Sequence, residues 1–172
     1  MVTKLGHFLL IARKSTNRQE RGNSMVDDIS LRMLELKLEG YCCAQIMLIL
    51  ALESQGKTNT DLIRAAGGLC YGVGMSGEIC GALTGGACVI SLYSGKGKSG
   101  EETDEKFPLM LNGLVEWFKE VPGGNYGGIR CDDILTNHPD RSICSSIVAA
   151  TYDRVIQILV THGLDPSQGK DG

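Results

Sequence analysis

The run Asp27-Asp28-Ile29-Ser30-Leu31-Arg32-Met33-Leu34-Glu35-Leu36-Lys37-Leu38-Glu39-Gly40 decides the fold class. Ile29, Met33, Leu34 and Leu38 recur at the spacing of one face of an α-helix, and Gly40 stands where a C-terminal cap would end it. The same period continues down the chain. A second helix is expected over 43–54 and a short third over 61–66. Gly67, Gly68, Gly72, Gly74 and Gly77 then break regular structure. A fourth helix is predicted from Cys80 to about Tyr93, followed by a Gly/Lys/Ser-rich linker over 94–100. Residues 103–119 place Leu111, Leu114, Val115 and Phe118 on one face, and 122–128 read as a glycine-rich loop. A short turn is expected at 131–135. The last helix runs from Arg141 to about His162, with Val148, Tyr152, Val155, Ile156 and Leu159 on its apolar face and Gly163 at its end. No stretch alternates as a strand would. The expected class is all-α, a compact single-domain bundle of five to six helices.

The bulk composition fits that picture. The chain has 172 residues, 42% hydrophobic and 22% charged, enough to bury a core and not the composition of a disordered segment. Residues 1–24 carry a net charge of +4 and lack helical periodicity past Ala12, so they read as an N-terminal arm. Met25 reads equally well as an alternative start. Residues 25–165 form the expected domain and 166–172 a tail. With −3 overall, the chain beyond the arm carries −7, and without a basic stripe it does not suit nucleic-acid binding. The longest apolar stretch, residues 46–52, is too short for a bilayer, so no membrane insertion is expected.

Seven cysteines are present, an odd number that a fully paired extracellular framework would not use up. The short apolar run at 7–12 lacks a cleavage site after it, and a cytoplasmic location is expected. Cys43, Cys80, Cys131 and Cys144 each fall in the predicted first turn of a helix. Backbone N–H groups and the positive dipole end there favour thiolate and can lower a cysteine pKa. The same N–H groups could donate to the sulfurs of a bound cluster. The bland alternative is that cysteine is a small hydrophobe filling the core, which is the expectation for Cys70 and Cys88. Cys42 is expected as core, a spare ligand or a resolving thiol. The separations of 37, 51 and 13 residues match neither Cys-x-x-Cys redox motifs nor ferredoxin patterns. A shared site would have to be assembled by tertiary folding.

Gly40-Tyr41-Cys42-Cys43-Ala44-Gln45, then Gly67-Gly68 leading to Cys80-Gly81-Ala82-Leu83-Thr84-Gly85, then Cys131 and Cys144, resembles the redox-active family called C-GCAxxG-C-C. The resemblance spans nearly everything from Met25 to His162. It implies a redox role for the four cysteines Cys43, Cys80, Cys131 and Cys144. A similar module in split-Soret type cytochromes is associated with an iron–sulfur centre. This chain lacks Cys-x-x-Cys-His, which excludes covalent c-type haem. Cys42, Cys70 and Cys88 are extra to the pattern. Gly81 and Gly85 cost a helix roughly 1 kcal/mol each relative to Ala, which points to close approach, chiefly helix–helix packing.

Other features carry less. His7 lies in the arm, His162 suits the C-terminal end of a helix, and His138 is a candidate ligand or proton donor in a loop. Asp132-Asp133 would oppose a neighbouring thiolate at Cys131. The glycine-rich runs 72–77 and 123–128 lack the context of nucleotide loops. Three readings follow. Cys43, Cys80, Cys131 and Cys144 hold an iron–sulfur cluster for electron transfer; or two of them cycle as the catalytic dithiol of a thiol–disulfide oxidoreductase; or they close a structural zinc site. A redox partner protein is implied without being identified, and the apolar helices could serve a homodimer as readily as a monomer core.

Overall fold

Helix α1 (residues 28–38) leads into α2 (Cys43–Ser54), a helix apolar on nearly every face. Ala44, Ile46, Met47, Leu48, Leu50, Ala51 and Leu52 of α2 are all buried, which requires neighbours all round it. The computed structural model describes residues 28–170 and supplies them: α3 (Thr60–Ala66), α4 (Gly81–Ser94), α5 (Phe107–Phe118), α6 (Cys131–Leu135) and α7 (Cys144–Thr161). The all-α class holds, with seven helices against the five to six expected and no strand among the described residues. The extra count comes from the short α6, which the sequence offered only as a turn. The 1–24 arm and its His7 lie outside the described residues.

Helix α2 packs most extensively on α4, which in turn meets α5 and α7. The core between them holds Met47, Val89, Ile90, Met110, Leu114, Phe118, Val155 and Leu159, all fully buried. Each such side chain contributes roughly 1.5–3 kcal/mol through removal from water. Two hydroxyls are buried with it. Thr151 donates to the Ile147 carbonyl (2.7 Å) and Ser94 to the Ile90 carbonyl (2.6 Å), so neither is left unsatisfied.

Several predicted boundaries and faces shift. In α1, Met33 and Leu36 are buried, while Leu34 and Leu38 are 52% and 80% exposed. Ile29 and Met33 belong to both candidate stripes, and Leu36 completes the one that meets the bundle. Gly40, at φ +92°, ends the segment as expected. Helix α5 begins at Phe107 rather than 103, with Pro108 in its first turn, where a missing N–H is harmless. Its buried residues are Met110, Leu114 and Phe118. Leu111 and Val115 are half-buried at the flank. The expected loop at 122–128 is largely helical turn: a π-turn over Lys119–Gly123, then a short turn over Gly124–Tyr126. Helix α7 starts at Cys144, not Arg141, because the Asp140 carboxylate accepts from the Ser142 backbone N–H (3.2 Å) and hydroxyl (3.0 Å) and folds 140–142 into a turn. At the far end the backbone carbonyl of Pro166 accepts from Tyr93 (2.7 Å) and Ser54 (2.9 Å), docking the segment after α7 on α2 and α4.

Candidate functional site

All four singled-out cysteines stand at helix starts. Cys43, Cys131 and Cys144 are the first residues of α2, α6 and α7, and Cys80 caps α4. A single antiparallel bridge between Ile79 and Arg130 brings two of them together. Its flanking bonds, Cys80 N–H to the Ile129 carbonyl (2.9 Å) and Cys131 N–H to the Glu78 carbonyl (2.7 Å), register the start of α4 beside the start of α6. The glycines make this approach feasible. A Cβ on Gly77 would overlap the Asp132 carboxylate, and one on Gly128 would overlap Asp133.

Cys43 is brought in by α2 packing on α4. A Cβ on Gly81 would overlap the Cys43 sulfur and crowd the Leu69 carbonyl at 3.1 Å. Gly81, expected chiefly as a packing glycine, therefore borders a site thiol directly. Gly85 does pack on a helix: its Cβ would stand 2.8 Å from the Cα of Ala44.

Between α3 and α4 the chain makes a turn of the opposite hand. Tyr71, Gly72, Val73, Gly74 and Met75 all have φ between +57° and +71°. Non-glycine residues pay about 1–2 kcal/mol each in this conformation. The turn is clamped at Gly72, where a Cβ would stand 2.6 Å from the Glu78 nitrogen. Its product is the placement of Tyr71, whose backbone N–H acts against the rise in the Cys43 pKa and whose ring lies under the Arg141 guanidinium at 4.8 Å. Neither Tyr71 nor Arg141 was singled out from the sequence. Nothing in a glycine-rich run or a polar loop marks residues that tertiary folding alone brings together.

Cys43, Cys80, Cys131 and Cys144 line one cavity of about 620 Å³. Apolar walls come from Met33, Ile46, Ala82, Ile147 and Val148, and the charged residues are Lys37, Asp140 and Arg141. The four thiols do not share one electrostatic state. Burial pushes Cys43 and Cys144 up, against the expectation that helix starts would lower all four. Cys80 is raised by its thiol's pairing with the Cys131 sulfur, and further by burial. Cys131 alone falls, to about 7, through donation from Cys80, with help from the Gly81 N–H and the Arg141 charge; Asp132 opposes it, as expected.

Cys131 is therefore expected to react fastest of the four thiols in the free protein. A pKa of about 7 leaves roughly half of it as thiolate at pH 7, against about three parts in a hundred for a cysteine at the ordinary value. Its alkylation should therefore rise with pH between 6 and 8 and level off above. Cys80→Ala should move the midpoint up and slow alkylation at pH 7 by roughly tenfold, read by mass spectrometry of the Cys131 peptide. An unchanged midpoint would remove Cys80 as the cause.

The remaining candidates lie elsewhere. His138 does not line the cavity; it meets the Tyr126 ring edge-on at 5.8 Å. His162 caps the C-terminal end of α7, as expected. Cys88 is a free, half-buried thiol packed against the core. Cys42 and Cys70 depart from expectation: they are joined in a disulfide, Cα to Cα 6.0 Å. As placed, no group of three or more His, Cys, Asp or Glu side chains among the described residues is disposed to hold a metal ion. No described helix is long and apolar enough to cross a membrane.

Comparison with known proteins bears on the same cysteines. A family model described as "Putative redox-active protein (C_GCAxxG_C_C)" matches residues 41–158. No curated protein and no solved structure matches the chain. The family match takes in all four helix-start cysteines and the elements from α2 to most of α7, so the chain belongs to the C_GCAxxG_C_C family.

Proposed function

We propose that Cys43, Cys80, Cys131 and Cys144 bind an iron–sulfur cluster through which the protein transfers electrons. The observation that carries this reading is the convergence of four thiols, from four separate helix starts, on one cavity of about 620 Å³. Four cysteines are the usual donor set for such a cluster. Backbone N–H groups of Tyr71 and Ala44 at Cys43, Ala82 at Cys80 and Gly81 at Cys131 act to favour the thiolate forms, and donors so placed would tune the potential of a bound cluster. A single ion suits the placement less well, because the side chains would have to draw together around one point. One buried and three half-buried thiols crowded on one cavity ionise together only beside a compensating cation, and binding would release their protons.

When bound, the cluster would supply one-electron storage. The chain's own part is to hold four sulfurs in register, keep water off them with Met33, Ile46, Ala82, Ile147 and Val148, and place the Arg141 charge near Cys131 and Cys144. A second reading is favoured by the facing pair Cys80 and Cys131. A Cys131 thiolate could attack an external disulfide and Cys80 resolve the mixed disulfide, leaving Cys80–Cys131 oxidised by two electrons and the substrate reduced to two thiols.

The deciding experiment is a visible spectrum of protein purified without oxygen or a metal-chelating tag, with iron and acid-labile sulfide assayed on the same sample. A brown protein with iron and sulfide in matching amounts is expected. A colourless, iron-free protein that loses two thiols on mild oxidation would replace this reading with the dithiol one.

A further inference from the structure

We infer that Cys42 and Cys70 form a second redox site, a reversible two-electron dithiol/disulfide couple that latches the left-handed turn over Cys43. These two cysteines lie outside the four-thiol set, and the inference does not require a cluster to be bound. Three observations converge on it. The disulfide adjoins the cavity: Cys42 lines it and immediately precedes Cys43, and Cys70, bonded to Cys42, immediately precedes Tyr71, which also lines it. A partner for each thiol proton is already in place, with Gln45 Oε1 3.2 Å from the Cys42 sulfur and the Ala66 carbonyl 3.7 Å from the Cys70 sulfur. A disulfide has no proton to give these acceptors, so their contacts with the two sulfurs become hydrogen bonds only on reduction; Gln45 Oε1 accepts from the Cys42 backbone N–H (3.2 Å) in either state. Gln45 is itself held in position by its amide, which donates to the Ile63 carbonyl at 3.1 Å. The site is thus furnished for both redox states.

The third observation is the strain beside it. The turn that begins right after Cys70 holds Tyr71, Val73 and Met75 at positive φ, an arrangement that persists only where its surroundings hold it. The disulfide anchors the entry of that turn to the start of α2, and Gly72 against Glu78 anchors its exit. Reduction frees the entry and lets the turn relax, taking the Tyr71 N–H from Cys43 and its ring from Arg141.

The chemistry needs an external dithiol. One thiolate of that reductant attacks the Cys42 sulfur, the bond to Cys70 breaks, and Cys70 leaves with the electron pair and takes a proton. The reductant's second thiolate then displaces Cys42, which takes a proton in turn. Two electrons enter the protein and the reductant leaves as its own disulfide.

The test uses the full chain as purified, with and without dithiothreitol, in hydrogen exchange read by mass spectrometry. Without reductant, digestion should yield a Cys42–Cys70 cross-linked peptide, and exchange over residues 70–78 should be slow. With reductant the cross-link should disappear and exchange over 70–78 should speed up roughly tenfold or more, while residues 152–159 of α7 stay protected. The double substitution Cys42→Ala/Cys70→Ala should show the fast exchange without reductant. Absence of the cross-link, or unchanged exchange when it is broken, would overturn the inference. Neither result bears on iron content, so failure here is separable from failure of the cluster reading.

Discussion

Serine at Cys43, Cys80, Cys131 or Cys144 is expected to lower bound iron and sulfide by roughly tenfold or more in anaerobically purified protein, whereas Cys88→Ser leaves both unchanged. A serine hydroxyl is a hard, weakly acidic donor that does not replace a thiolate on iron, and changes to the groups that merely hydrogen-bond a ligand already cost about 10–100-fold in affinity. Cys88 serves as the control because it is a similarly half-buried thiol on α4 that does not line the cavity. The measurement is iron and sulfide per chain, with far-ultraviolet circular dichroism confirming that each variant is folded. Equal loss at all four positions supports one shared site. Retention of metal at any of them removes that residue from the set, and a redox defect confined to Cys80 and Cys131 in a metal-free protein would point to the dithiol reading.

Gly85→Ala should destabilise the fold by about 1–3 kcal/mol, although helix propensity alone predicts a gain of about 1 kcal/mol. The added Cβ would stand 2.8 Å from the Ala44 Cα and 3.2 Å from Met47. The first of these is backbone, so relief requires α2 and α4 to move apart rather than a side chain to turn. That motion also separates Cys43, next to Ala44, from Cys80. Gly113→Ala is the counterpart. It lies inside α5 with nothing within 4 Å of its Cβ, and it should gain roughly 0.5–1 kcal/mol. Chemical denaturation midpoints of the two variants should move in opposite directions. If Gly85→Ala raised the midpoint as well, close packing of α2 on α4 would not be what holds them.

Local patterning made much of the fold legible. The apolar run from near Cys43 to about Ser54 marked α2, and Gly40 and Gly163 ended their helices at positive φ as their positions implied. Faces were less legible. Ile29 and Met33 are compatible with two stripes on α1, and only the neighbouring bundle selects Leu36 over Leu34. The π-turn after α5 and the left-handed turn at 71–75 were hidden because glycine and proline announce an interruption without stating its conformation.

By itself, the sequence determined the all-α class, the helix starts at which Cys43, Cys80, Cys131 and Cys144 lie, and membership of the family. These depend on hydrophobic period, capping residues and motif order, all readable within a few residues of one another. The tertiary structure alone decided that the four thiols share a cavity, that only Cys131 is lowered among them, and that Cys42 pairs with Cys70. The reason is physical. A helix start offers every cysteine the same modest dipole, whereas burial and a facing thiol act through space with larger and opposite effects, and both are set by residues tens of positions away in the chain.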